Sequence, residues 1–210
     1  MKGLFITFEG PEGSGKTTHI ELLAAHLRSC GRTALITREP GGTQLSENIR
    51  EILLHTREAI SPLAELFLYE SDRAQHVTET VQPALIRGEI VLCDRYVDST
   101  VAYQGYGRKL PMPMIETLNK IASAGLAPDL TILLDISAAQ GLRQAGHSKL
   151  GHDRLEKAGI AFHNRVRNGF LKLARQNPGR FRLIRQQKDI NHTQKLIQET
   201  VDAFLNGAKA

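Results

Sequence analysis

A short stretch near the amino terminus has the residue types and spacing of a loop that binds nucleotide phosphates. It consists of Gly10, Pro11, Glu12, Gly13, Ser14, Gly15, Lys16 and Thr17, followed by Thr18. A loop around a polyphosphate turns its backbone N–H groups inward, and glycine adopts the required dihedral angles most readily. Lys16 is spaced to reach the outer phosphates, and the Thr17 hydroxyl is spaced to hold Mg²⁺. The sequence therefore predicts a site for a nucleoside triphosphate with Mg²⁺.

The segments around this loop predict an α/β protein. Apolar runs bounded by turn residues alternate with longer helical patterns, which is typical of a parallel sheet covered by helices on both faces. We predict one domain over residues 1–210 with a parallel five-stranded sheet flanked by helices. The predicted strands are 4–8, 33–37, 90–93, 130–136 and 181–184. The predicted helices are 16–29, 44–55, 62–87 with a kink at Pro83, 113–124, 153–176 and 192–205.

Charged residues follow the predicted strands. Glu12 follows the first strand, Arg38 the second, Asp94 and Arg95 the third, and the stretch 143–154 follows the fourth. Ligand-binding residues of parallel α/β sheets cluster beyond the carboxyl ends of the strands. We therefore expect these side chains to converge on one cleft.

Two strand-end carboxylates are candidates for the magnesium site. Asp94 ends an apolar strand, where a carboxylate can reach the metal of a bound nucleotide directly or through water. Asp135 holds an equivalent position in Leu133-Leu134-Asp135. We favour Asp94 as the metal residue and expect Asp135 to have an ordinary structural role, such as capping a helix.

Arg38 and Arg95 suit a second phosphate group, because guanidinium groups bind phosphates in two-pronged fashion. A nucleotide held by Lys16 and an acceptor held by two arginines is the arrangement of a phosphoryl transferase. Surface salt bridges are the alternative explanation for either arginine. A guanine-dependent switch is less favoured, because Asn119-Lys120 lacks the aspartate expected two residues later.

Composition limits the possible partners. The 210 residues are 41% apolar, enough for the core of one ordinary domain. The net charge of +5 fits a phosphate-binding cleft as well as a nucleic-acid surface, and no DNA-binding motif is present, so we predict no nucleic-acid partner. No stretch resembles a membrane span or a signal peptide, so we predict a cytoplasmic protein without a membrane partner. Cys30 and Cys93 fit no metal spacing.

The stretch Leu92–Gln104, which reads LCDRYVDSTVAYQ, resembles the signature of thymidylate kinases. Arg38-Glu39-Pro40-Gly41-Gly42-Thr43 resembles a second hallmark of that family, and Arg73-Ala74-Gln75-His76 a third. With the phosphate loop, the similarity extends from about residue 4 to residue 205 in the same order. It implies a nucleoside monophosphate kinase fold and transfer of the ATP γ-phosphate to dTMP, giving dTDP and ADP.

The resemblance also implies a role for individual residues. Arg38 and Arg95 match positions that hold the dTMP phosphate, and Glu12 matches a carboxylate near the deoxyribose 3′-hydroxyl. Tyr69 matches a ring against thymine, although its neighbours also suit core packing, and Arg73 matches an arginine that bonds the base carbonyl. The remaining matches are Tyr103, a ring that disfavours a ribose 2′-hydroxyl, and the polar contacts Ser99, Thr100 and Gln104.

Residues 140–156 resemble the mobile lid of the family, which ends in Asp153-Arg154-Leu155-Glu156. Family members take their catalytic cation from the phosphate loop or from the lid, and Glu12-Gly13-Ser14 has no arginine. The resemblance therefore implies a lid cation, as in bacterial members of this type, and a homodimer. The candidates are Arg154 and then Lys149, with Arg143 expected near ATP.

Two other functions remain open from the sequence. The first is a kinase for another nucleotide or a deoxynucleoside, which would differ at Tyr69, Arg73 and Thr100. The second is a nucleotide switch without enzymatic activity, which the paired arginines and the lid-like segment disfavour.

Overall fold

A computed structural model describes residues 3–146, 154–155 and 158–207. Its centre is one five-stranded sheet, in which every neighbouring pair of strands is parallel. The strands are β1 (Leu4–Glu9), β2 (Ala34–Arg38), β3 (Ile90–Asp94), β4 (Leu130–Asp135) and β5 (Phe181–Arg185). Their order across the sheet is β2-β3-β1-β4-β5. The predicted fold class is confirmed, and each predicted strand is present to within a residue or two.

Helices cover both faces of the sheet. The α-helices are α1 (Lys16–Ser29), α2 (Gln44–His55), α3 (Pro62–His76), α4 (Gln82–Ile86), α5 (Val97–Thr100), α6 (Met112–Ala122), α7 (Ala138–Ala145), α8 (Ile160–Gln176) and α9 (Ile190–Leu205). Two π-helical turns, Val77–Val81 and Val101–Gly107, follow α3 and α5 directly.

Alternate residues of each strand pack in separate apolar clusters on the two faces of the sheet. Ile6 and Phe8 of β1 pack with α1 and α9, whereas Phe5 packs on the opposite face with Val77 and Tyr96. Side chains of a strand alternate between its two faces, so a strand between helical layers is apolar throughout. Because β1 and β3 are parallel neighbours, their carboxyl ends lie side by side, with Phe8 paired to Asp94.

The helices differ from the prediction in four places. The predicted helix 62–87 contains the π-helical turn Val77–Val81 just before Pro83, which lies at the start of α4 and cannot donate a backbone hydrogen bond. Helix α8 begins at Ile160, so the predicted start at 153 is wrong for residues 154–155, which form a turn. The helical segments 97–107 and 138–145 were not predicted.

In the described part of the chain, no helix combines the length and apolar character needed to cross a membrane.

Candidate active site

The phosphate loop lies between the end of β1 and the start of α1. Gly10, Gly13 and Gly15 have φ angles of 144°, 66° and 79°, which side-chain-bearing residues rarely adopt. Lys16 folds over the loop, and its Nζ donates to the carbonyl oxygens of Gly10 and Pro11 over 3.3 and 3.1 Å. Helix α1 begins at Lys16, directly after the glycines of the loop, and the amino-terminal end of a helix favours an anion.

Helix α7 packs directly on the phosphate loop. A Cβ atom added to Gly13 would lie 2.1 Å from the carbonyl oxygen of Gly141, and one added to Gly141 would lie 2.2 Å from that of Glu12. Only glycine permits this backbone contact at both positions. The first part of the predicted lid therefore begins in contact with the loop that binds phosphate.

The residues predicted to hold Mg²⁺ lie next to each other. The Thr17 hydroxyl donates to Asp94 Oδ2 over 2.8 Å, and Asp94 Oδ1 is buried without a hydrogen-bond partner in the described structure. Hydroxyl and carboxylate oxygens are the ligand types that Mg²⁺ prefers, together with phosphate oxygens and water. Asp135 instead pairs with Arg167 over 2.7 and 2.9 Å. The donor set at Thr17 and Asp94 thus fits the metal.

A cleft of about 870 Å³ contains the phosphate loop and both predicted acceptor arginines. Lys16, Thr17 and Thr18 line one side of it, and Arg38 and Arg95 line another. The side chain of Arg38 is 52% exposed and forms a salt bridge with Glu47 at 3.0 Å. Arg38 therefore reaches the cleft as a half-exposed group, whereas Arg95 is largely buried there.

Arg95 is held by its backbone and by its side chain. Its φ angle is 73°, in the left-handed region, which costs a residue with a side chain about 1–2 kcal/mol. Its guanidinium donates to Gly10 O over 3.1 Å, to Ser99 Oγ over 3.3 Å and to Glu12 Oε1 over 2.9 Å. This geometry directs Arg95 to the phosphate loop.

Glu12 is the counter-charge of Arg95. Its Oε1 also accepts from the Tyr103 hydroxyl over 2.7 Å. Burial alone would raise the pKa of Glu12, but the charges of Arg95 and Lys16 and the Tyr103 hydrogen bond lower it to about 2. Glu12 is therefore an anion at neutral pH, beside two cations that suit phosphate.

A smaller cavity of about 100 Å³, which we call the acceptor pocket, adjoins this cleft. Most of the predicted substrate residues line it, and Leu155 lines it as well. These predicted residues are Glu12, Tyr69, Arg73, Arg95, Ser99, Thr100, Tyr103 and Gln104. The predicted residues in this set therefore line one cavity, whereas Arg38 lines only the larger cleft.

Arg73 is buried, and its guanidinium is fully hydrogen-bonded to protein groups. It is 1% exposed, and its guanidinium bonds Glu39, Glu70, Asn119 and Thr100. With the further Nη2 contact to Glu39 at 2.9 Å, each of its five N–H groups has a partner. A base carbonyl would have to replace one of these partners.

Three residues at the site were not predicted. Arg50 and Glu39 line both the acceptor pocket and the larger cleft. Glu9, at the end of β1, accepts from Tyr96 N over 2.8 Å and from Ser99 Oγ over 2.6 Å. Burial and the neighbouring Asp98 raise the pKa of Glu9 to about 8. The only sequence signal for Arg50 is its place on the buried stripe of α2, with Ser46 and Leu54 one turn away on either side.

The predicted lid cations are only partly described. Arg154 lines neither the cleft nor the acceptor pocket; it donates to Leu53 O over 2.9 Å and pairs with Glu65 at 2.6 Å. Arg143 lies in the last turn of α7, next to Gln144, which lines the cleft. Lys149, Asp153 and Glu156 lie outside the described residues, so the choice of a lid cation stays a prediction.

Comparison with known proteins identifies the family. The family model for thymidylate kinase matches residues 8–197. The thymidylate kinase of Deinococcus radiodurans is 52% identical over 86% of this chain and 87% of its own length. The thymidylate kinase of Trichormus variabilis is 46% identical over 98% of both chains. The crystal structure of thymidylate kinase from Ehrlichia chaffeensis superposes with a TM-score of 0.79 at 31% identity, covering 96% of this chain and 100% of that one. The chain belongs to the thymidylate kinase family.

Proposed function

We propose that this chain holds ATP and dTMP at opposite ends of one continuous cleft and transfers the γ-phosphate between them, giving dTDP and ADP. As a thymidylate kinase it is a nucleoside monophosphate kinase with ATP as phosphoryl donor and Mg²⁺ as cofactor. When bound, Mg²⁺ neutralises phosphate charge, and Thr17 and Asp94 are the residues that would hold it.

The observation that carries this proposal is the wall shared by the two cavities. Glu12, Glu39, Arg50 and Arg95 line both the cleft with the phosphate loop and the acceptor pocket. Two phosphate groups can therefore approach each other there without crossing protein. Phosphoryl transfer depends mainly on such positioning and on neutralising charge.

The residues divide the work between the two substrates. Lys16 and the loop N–H groups bind the donor phosphates, while Arg95 and Arg38 bind the acceptor phosphate. Glu12 accepts hydrogen bonds from Arg95 and Tyr103, and it restrains Arg95 before the acceptor arrives. Glu12 and Tyr103 would then meet the sugar of the acceptor. Arg154, Lys149 or Arg143 supplies the lid cation that approaches the transferred group.

A panel of nucleoside monophosphates with ATP and coupled detection of ADP tests the activity. We expect dTMP to be the best acceptor. Arg95→Ala should lower kcat/KM for dTMP by roughly 10²-fold or more, because it removes a charged contact to the transferring phosphates. The exposed Arg32→Ala is the matched control and should retain normal kinetics. Tight ATP binding without transfer to any monophosphate would instead support a nucleotide switch.

We further propose that the protein is a cytoplasmic homodimer. Leu45 and Ile52 on α2 and Leu63 and Phe67 on α3 are large apolar residues that are 43–50% exposed. Such side chains on two helices that pack together suit an isologous interface. Light scattering after size-exclusion chromatography should give twice the chain mass, and Phe67→Glu should give the monomer. A monomeric unsubstituted protein would contradict the proposal.

A further inference from the structure

Glu9, the last residue of β1, lies next to the turn that carries Arg95. Its side chain is fully buried, and its Oε1 accepts a hydrogen bond from Tyr96 N over 2.8 Å. Its Oε2 lies 2.6 Å from Ser99 Oγ, and that same hydroxyl oxygen accepts from Arg95 Nη1 over 3.3 Å. One hydroxyl group therefore separates the Glu9 carboxyl from the guanidinium that we assign to the acceptor phosphate.

Glu9 forms no salt bridge within the described part of the chain, because the two nearby arginines pair with other carboxylates. Arg180 donates to both oxygens of Asp98 over 2.6 and 2.9 Å, and Arg95 pairs with Glu12 at 2.9 Å. A buried carboxylate without a counter-ion is unfavourable, and a second negative charge beside it makes it more so. Burial and the charge of Asp98 raise the pKa of Glu9 to about 8. Glu9 is therefore mainly a neutral carboxylic acid at pH 7.

The proton on Glu9 decides how the Ser99 hydroxyl is used. Because Oε1 accepts from Tyr96 N, the proton of the neutral acid lies on Oε2 and is donated to Ser99 Oγ. Ser99 Oγ then accepts two hydrogen bonds, from Glu9 and from Arg95, so its own hydrogen is left for a group in the acceptor pocket, which Ser99 lines. An ionised Glu9 would take this hydrogen and would place a negative charge beside Arg95.

We propose that Glu9 is a positioning residue whose protonated form prepares Arg95 and Ser99 for a phosphate dianion, and that loss of this proton weakens acceptor binding. With the proton in place, Glu9 does not compete for Arg95, and Ser99 is free to donate to the phosphate. Without it, Glu9 competes for Arg95 and repels the dianion. Acceptor binding is thus linked to uptake of a proton by Glu9. The inference rests on the proposed role of Arg95 in holding the acceptor phosphate.

Several neighbouring segments place charged or titratable groups near Glu9. These groups are Asp98 on α5, Arg95 after β3, Arg180 before β5, Lys16 at the start of α1 and Cys93 on β3. Arginine stays protonated in this pH range, and burial raises the pKa of Cys93 well above its usual value. Burial lowers the pKa of Lys16, so its titration must be separated from that of Glu9.

Calorimetric titration of the full chain with dTMP measures the linkage. With a pKa of about 8, Glu9 is about nine-tenths protonated at pH 7 and about one-tenth protonated at pH 9, so the Kd for dTMP should rise roughly 10-fold between them. Binding at pH 8 should take up about half a proton. This uptake makes the binding enthalpy depend on the ionisation enthalpy of the buffer.

Glu9→Gln should imitate the protonated acid at every pH. Its amide oxygen can accept from Tyr96 N, and its NH₂ group can donate to Ser99 Oγ. We expect its Kd for dTMP at pH 7 to stay within about 5-fold of the unsubstituted value, and its rise at pH 9 to be less than half as large. Lys16 and the thymine base are present in both comparisons, so the difference reports Glu9. Glu116→Gln, at an exposed position of α6, is the matched control and should keep the full rise.

Asp98→Asn tests the same linkage without changing Glu9. It removes a charge that opposes ionisation of Glu9 and deprives Arg180 of its carboxylate partner. The pKa of Glu9 should therefore fall, and the rise in Kd should begin at a lower pH than in the unsubstituted protein.

Absence of proton uptake at pH 8 in the unsubstituted protein would overturn the role of Glu9. So would a rise in Glu9→Gln at least half as large as the unsubstituted one, or a loss of dTMP affinity beyond about 5-fold in that variant at pH 7. If Glu9→Gln fails to fold, an earlier rise in Asp98→Asn supports the role and an unshifted rise overturns it. If the unsubstituted protein binds but does not phosphorylate dTMP, the proposed function is wrong, and the Kd values still decide the role of Glu9.

Discussion

Arg73→Met should destabilise the fold strongly, because Arg73 is the shared counter-charge of buried carboxylates. The side chains of Arg73, Glu39 and Glu70 are 2%, 3% and 7% exposed, and Arg73 bonds both carboxylates at 2.9–3.0 Å. Removing one partner of a buried ion pair costs about 3–5 kcal/mol. For a chain of this length, that loss lowers Tm by roughly 10 °C.

The loss should depend on pH. Burial raises the pKa of Glu70 even though Arg73 opposes the shift, so the pKa must rise further in the Arg73→Met variant. A carboxyl group with a raised folded-state pKa destabilises the fold at high pH, and the penalty disappears as pH falls toward its unfolded value of about 4.3. The deficit should therefore be smaller at pH 5 than at pH 8, by about 1 kcal/mol or more.

Urea unfolding of both proteins at the two pH values measures the effect. Adding Glu70→Gln to Arg73→Met should recover part of the loss, because it removes one unpaired charge. The exposed Arg32→Met is the matched control and should stay within about 0.5 kcal/mol of the unsubstituted protein. A loss below about 1 kcal/mol, or an equal loss at pH 5 and pH 8, would refute the argument.

Three other changes test the phosphate site. Asp94→Asn should raise the Mg²⁺ concentration needed for half-maximal activity by roughly 10-fold, measured at fixed ATP, since it removes the negative charge that Asp94 offers to the metal. Gly13→Ala should raise KM for ATP at least about 10-fold, because the added Cβ would strike the backbone of α7. Gly31→Ala is the control: Gly31 has a similar positive φ of 74° but no atom within 4 Å of an added Cβ, so this variant has the backbone strain without the clash. Glu12→Gln should flatten the loss of stability between about pH 4.5 and pH 2, because the lowered pKa of about 2 makes Glu12 stabilising above that window and not below it.

The residues that we expect to bind phosphates could be found from the sequence because they obey local rules. Gly10, Lys16, Arg38 and Arg95 stand at strand ends or in a loop of fixed spacing, and the strands themselves are continuous apolar runs. A parallel sheet then brings those strand ends together without further information. The approach of Arg38 and Arg95 to the phosphate loop follows from this topology.

Buried charges were not predictable, because their partners are distant in sequence. Glu65 lies 39 residues from Gln104 and 43 from Arg108, and nothing near it in the chain marks it as buried. The π-helical turn after α5 was missed for a similar reason: Tyr103 packs edge-on against Phe162 and Phe170 of α8. Packing between distant elements, rather than local preference, determines these features.

Arg95 and Glu12 line both the acceptor pocket and the phosphate cleft, so each substrate can affect the same ion pair. A phosphate dianion that reaches Arg95 competes with the Glu12 carboxylate, and a released Glu12 changes the field around Lys16. Under the proposed function, we therefore expect occupancy on one side to alter affinity on the other. Thermodynamic reciprocity requires that the factor by which ATP changes dTMP affinity equal the factor by which dTMP changes ATP affinity. The pair of Arg95 and Glu12 would carry this coupling between donor and acceptor.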